Sequence, residues 1–100
     1  MKLKNEFEPI RDWAKDKGIY KKGDIKTQTL KLVEEVGELS KAVLNEDRAE
    51  IEDAIGDCVV VLTSISHMVG TDIEDCIMGA YNVIAKRKGK MINGTFVKDE

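Results

Sequence analysis

Glu34-Glu35-Val36-Gly37-Glu38-Leu39, answered by Asp53-Ala54-Ile55-Gly56-Asp57-Cys58, decides how this chain is read. Both stretches have helical character. In the first, Glu34, Glu35 and Glu38 are three or four positions apart and share one helix face. In the second, Asp53 and Asp57 are one turn apart. Between them lies Asn45-Glu46-Asp47, a short polar break suited to an αα-hairpin. Counted from Glu46, Glu35 lies 11 residues before and Asp57 11 residues after. Folded back antiparallel, the two helices would bring their acids to matching heights. Carboxylates gathered in this way repel unless cations sit among them. Hard, oxygen-seeking cations suit them, Mg²⁺ first and Mn²⁺ as its substitute.

A solvated helix face is the alternative for Glu34–Glu38. Leu30, Val33, Gly37 and Leu44 form one apolar row of that helix, and Leu32, Val36, Leu39 and Val43 form the next, with the acids opposite. The second helix argues differently. Cys58-Val59-Val60-Val61-Leu62 is apolar all round, which predicts burial, and Val60, Val61 and Ser64 continue the Asp57 face. Asp57 is therefore expected to point inward, where an acid needs a partner.

Composition sets the frame. One hundred residues predict one domain, 1–100, with a modest core. A net charge of −3 argues against a nucleic-acid coat or a membrane-surface protein. Met1-Lys2-Leu3-Lys4-Asn5 lacks the apolar core of a leader, and Cys58–Leu62 is too short to span a bilayer, so the expected location is cytoplasmic. Cys58 and Cys76 read as reduced thiols.

Along the chain, a first helix is predicted from about Asn5 to Lys17, stopped by Gly18. Trp13 reads as a core anchor, with a platform for a base as the alternative. Residues 18–24 read as a loop. Asp24 or Thr27 caps a second helix to about Asn45, in which Lys31 can pair with Glu35. Asp47 caps a third, to about Val69. Thr71-Asp72-Ile73-Glu74 reads as a capping box for a fourth, to about Lys88. Its basic end suits the helix dipole, and Asn82 and Lys86 on one face would also suit phosphate. His67 reads as structural. Asn93-Gly94 between β-favouring residues marks a small hairpin.

Glu34-Glu35-x-x-Glu38 followed by Ile55-Gly56-Asp57 resembles the MazG-like all-α nucleoside triphosphate pyrophosphohydrolases. Trp13-Ala14, Gly18-Ile19, Gln28-x-x-Lys31-Leu32 and the run Tyr81-Asn82 to Met91 extend the resemblance to small phage and bacterial members. It implies an all-α four-helix bundle with a short C-terminal tail or hairpin. It also implies a homodimer or homotetramer whose site a second subunit completes. Mg²⁺ would be held by Glu35, Glu38 and Asp57, and Glu34 would orient or deprotonate the water that attacks the α-phosphorus of a nucleoside triphosphate. Asn82, Lys86 and Arg87 would contact phosphate, with Lys31 and Trp13 beside the substrate. The family's second motif is usually Glu-x-x-Asp, but Ala54 occupies the position three before Asp57. Asp53, one turn from Asp57, is the candidate replacement ligand. Other readings are a weakly catalytic metal- and nucleotide-binding module, or a structural helical oligomer with no site.

Overall fold

The computed structural model describes residues 6–100. The expected helix start at Asn5 and the reading of Met1–Asn5 lie outside the described residues. The elements are α1 (Phe7–Asp16), α2 (Ile19–Lys22), α3 (Ile25–Leu44), α4 (Arg48–Met68), α5 (Ile73–Ile84), β1 (Gly89–Ile92) and β2 (Thr95–Lys98). The described chain is thus all-helical apart from one hairpin.

The centre is the α3–α4 hairpin. Asp24 begins α3, its carboxylate accepting from the Thr27 amide at 2.9 Å and from the Thr27 hydroxyl at 2.9 Å. Asp47 begins α4, accepting from the Glu50 amide at 3.2 Å. These caps satisfy amides that have no partner inside a helix. The reversal uses Glu46 at φ 54. Small residues then let the helices close: Ala42 is 6 % exposed and Ala54 5 %. Leu32, Glu35 and Leu39 are half-buried along the same side of α3.

Only part of the expected apolar pattern is used within the chain. Leu30, Val33 and Leu44 are 70 %, 64 % and 83 % exposed, and Val36 and Val43 also face solvent. α4 is the shared partner of α1, α2, α3 and α5, and that explains its apolar circumference. Two of its three buried hydroxyls are satisfied locally: Thr63 donates to the Val59 carbonyl at 2.7 Å and Ser66 to that of Thr63 at 2.8 Å.

Three expectations are corrected. Among the described residues the bundle has five helices, since residues 19–22 wind one further turn. The Lys22 amide donates to the Gly18 carbonyl at 2.9 Å and the Gly23 amide to that of Ile19 at 2.8 Å. Gly23 is required there because a Cβ would strike the Ile19 carbonyl oxygen. Second, no side chain caps α5 at Asp72. Glu74 instead receives the Arg11 guanidinium at 2.6 and 2.7 Å, and Glu8 shares the same guanidinium. A two-pronged ion pair is stronger than a neutral cap. Third, α5 ends at Ile84, four residues short of Lys88, so Lys86 lies outside the helix and does not share a helical face with Asn82. The Lys88 carbonyl is taken by the Asp99 amide at 2.8 Å, which continues the hairpin ladder.

The hairpin itself follows its turn chemistry. Met91 faces Phe96 and Ile92 faces Thr95, with Asn93 (φ 49) and Gly94 (φ 83) as the two-residue turn. That pair of positive angles is the turn whose twist suits two antiparallel strands.

Candidate functional site: an acid-walled cleft

Glu35 of α3 and Asp57 of α4 line one cleft together with Trp13 of α1 and Ile19 of α2. The cleft, about 340 Å³, has Glu35, Lys31 and Gln28 on its α3 wall and Asp57 on its α4 wall. Trp13, Ile19, Val60 and Val61 supply apolar surface, and Ser64 lies at the inner end. Trp13 is 47 % exposed, so it walls this cleft and does not anchor the core.

The charges are arranged unevenly. Glu35 is largely covered, its side chain 13 % exposed, while Glu34 is 63 % exposed. Lys31 Nζ lies 3.4 Å from an oxygen of each. The two carboxylates, Glu35 first, raise the Lys31 ammonium above its ordinary range. The Asp57 carboxyl is also pushed upward. Partial loss of water is the leading cause, the charges of Asp53 and Glu35 follow, and Lys31 opposes them. Asp57 is nevertheless exposed and does not point into the interior as its helix face had suggested. Glu35, Asp53 and Asp57 therefore repel one another across the helix pair with one ammonium nearby.

Glu38 lies one turn along α3 from Glu35 and opens instead onto a neighbouring hollow with Lys41, Asn45, Asp47 and Glu50. Glu50 thus accompanies Glu38 as well as following the cap. Among the described residues, no three His, Cys, Asp or Glu side chains are gathered round one point. The donor chemistry still fits a hard cation. Glu35, Asp57 and Asp53 offer oxygen only, their mutual repulsion needs positive charge, and the cleft is open to water, which fills remaining coordination positions. Ala54 is explained by packing, since its methyl is buried on α4.

Asn82, Lys86 and Arg87 are not brought to this cleft. Arg87 lies in a separate apolar groove with Tyr81, Ile84, Ala85 and Phe96. Of the residues lining the cleft, Ile19, Thr27, Gln28, Val60, Val61 and Ser64 were not chosen from the sequence as site residues. Ile19 was assigned to a loop. Ser64 was recognised as continuing the Asp57 face but given no role. His67 is exposed and stacks on Tyr20, ring centres 4.0 Å apart and planes at 27°.

Comparison with known proteins agrees with the acid pattern. A family model described as the MazG nucleotide pyrophosphohydrolase domain matches residues 24–92, which contain α3, α4, α5 and β1. A protein of Haemophilus phage HP1, described as an uncharacterized 18.2 kDa protein in the rep-hol intergenic region, is 34 % identical over 64 residues. That match covers 64 % of this chain and 39 % of the phage protein, so the chain spans well under half of that relative. No solved structure matches. With the two acidic helices inside the matched region, and Glu35 and Asp57 facing one cleft, the chain belongs to the MazG nucleotide pyrophosphohydrolase family.

Proposed function

We propose that this protein hydrolyses nucleoside or deoxynucleoside triphosphates to the monophosphate and pyrophosphate, with Mg²⁺ as its cofactor and Mn²⁺ as a substitute. One observation carries the reading: Glu35 and Asp57, from different helices of a pyrophosphohydrolase-family chain, wall the same cleft. Glu35 and Asp57 would hold the cation, with Asp53 beside Asp57 and Glu38 one turn from Glu35. When bound, the cation offsets charge on the phosphoryl oxygens and lowers the pKa of water. Glu34, exposed and tied to Lys31, orients the attacking water and accepts its proton. As the water oxygen bonds to the α-phosphorus, the bond to the bridging oxygen breaks and pyrophosphate leaves. Lys31 then has a phosphate oxygen as an alternative to Glu34 and Glu35, and Trp13 borders the base or sugar.

Triphosphate brings more negative charge than Lys31 can balance. The basic residues Lys86 and Arg87, with Asn82, would therefore reach the site from a second copy of the chain. The exposed rows of α3 support assembly into a homodimer or homotetramer, since contiguous apolar faces of this kind mark contact surfaces. A second reading, a binding module with weak turnover, is favoured by one feature. Ala54 is buried on α4 and supplies no oxygen.

The test is a panel of nucleoside triphosphates with Mg²⁺ or with chelator, following pyrophosphate and orthophosphate separately. Metal-dependent pyrophosphate release that Glu35→Gln removes supports the enzyme. Metal-dependent nucleotide binding without release supports the module. Neither binding nor release overturns both.

A further inference from the structure

The inner end of the cleft holds hydroxyl chemistry that phosphate hydrolysis does not use. Ser64 is 1 % exposed yet borders the same cleft as Glu35 and Asp57. It follows Asp57 by seven residues, two turns along one face of α4, which is about 10 Å of helix. That is roughly the span from the α-phosphorus of a nucleotide, across its sugar, to the far edge of its base. Between those points the cleft is walled by Val60 and Val61 on α4, with Trp13 and Ile19 also lining it. A slot with apolar walls and a polar end suits a flat ring with polar atoms on its rim.

Tyr20 adds a second, independent observation. Its Oη is buried and has no hydrogen-bond partner among the described residues. The Ser64 hydroxyl is its neighbour. The Tyr20 ring is stacked on His67, which holds it in place. A buried hydroxyl without a partner weakens a fold, so its retention calls for an explanation. Neither the core nor the acidic pair supplies one.

We propose that Ser64, positioned by Tyr20, reads a hydrogen-bond acceptor on the edge of a nucleobase, and so makes this end of the cleft the base-selecting part of the site. Tyr20 donates its hydroxyl proton to Ser64 Oγ, which directs the Ser64 proton outward to a carbonyl oxygen or ring nitrogen of the base. Ser64 is the contacting group and Tyr20 acts through it. The proposal rests on the triphosphate reading and specifies which part of the substrate occupies which end.

The experiment compares nucleoside triphosphates with base-free ribose 5-triphosphate, in wild type, Ser64→Ala and Tyr20→Phe. Ser64→Ala is expected to raise KM about 10-fold for the preferred nucleotide, a larger effect than on the base-free substrate. Tyr20→Phe should raise KM in the same direction but less, because Tyr20 only positions Ser64. A KM for the preferred nucleotide that is unchanged in Ser64→Ala, or equal loss on the base-free substrate, overturns the proposal. If wild type hydrolyses neither substrate, the hydrolytic reading fails separately. Calorimetric binding of the same two ligands then decides the base contact: weaker nucleotide binding in Ser64→Ala supports it, and unchanged binding overturns it.

Discussion

Between α3 and α4 the chain buries Ala42 and Ala54 and covers Glu35, whereas every residue from Gly79 to Glu100 is exposed. The first region is closed on its inner side: its caps are made and its two helices pack against each other. The second carries Tyr81, Val83, Ile84, Met91 and Phe96 into solvent, although these are residue types that normally pack. A lone two-stranded hairpin is marginal in water. The radius of gyration, 15.8 Å, also exceeds the about 13 Å of a compact chain this long. The contrast teaches that the acids are organised by local packing, while the basic end lies on exposed surface.

The strongest way to sharpen that comparison is to strike the first region. Asp57→Asn or Glu35→Gln should lower pyrophosphate release by at least about 100-fold, since a ligand misplaced by 1 Å already costs that much. Circular dichroism should show the helices retained. Asp53→Asn should remove most activity if Asp53 replaces the acid absent at position 54. Activity equal to wild type would return it to the surface.

The exposed apolar row on the outer side of α3 can be broken next. The double variant Leu30→Glu/Val33→Glu places charge on the exposed row of α3. Light scattering should then give the mass of a single chain, where wild type gives a dimer or tetramer. If wild type is already a stable monomer at micromolar concentration, the contact surface is misread. A milder test is Lys86→Ala with Arg87→Ala. KM for triphosphate should rise about 10-fold with Tm nearly unchanged, because exposed cations add little stability.

The smallest effect concerns the tie between α1 and α5. Arg11→Ala should cost about 1 kcal/mol at neutral pH, measured by urea unfolding. Arg11 holds the Glu74 carboxyl below its ordinary range. The sign follows directly. That stabilisation is complete above the unfolded glutamate pKa and is lost as pH falls through the lowered folded value. Wild type and variant should therefore converge in acid.

How much was legible in the sequence follows from the range of each interaction. Caps and turns act over three or four residues, so Asp24, Asp47 and Asn93-Gly94 were readable where they stand. The matched heights of Glu35 and Asp57 were readable because one short break joins their helices. The end of α5 was not, since Lys88 is drawn away by the Asp99 amide, 11 residues further on. Glu74 looked like a capping residue because its true partner, Arg11, lies 63 positions earlier. Trp13 looked like core because aromatic bulk carries no mark of the cleft it borders. Ser64 and Tyr20 come together only when α2 folds onto α4.

The short Asn45–Asp47 connection also bears on how the chain reaches its folded state. Contacts between α3 and α4 need only a small loop to close, so they cost little entropy and can form early. The Arg11–Glu74 tie joins distant segments and pays its entropy late. Weakening it should therefore speed unfolding more than it slows folding. The acid-bearing hairpin would then be the first part of the molecule to form and the last to be lost.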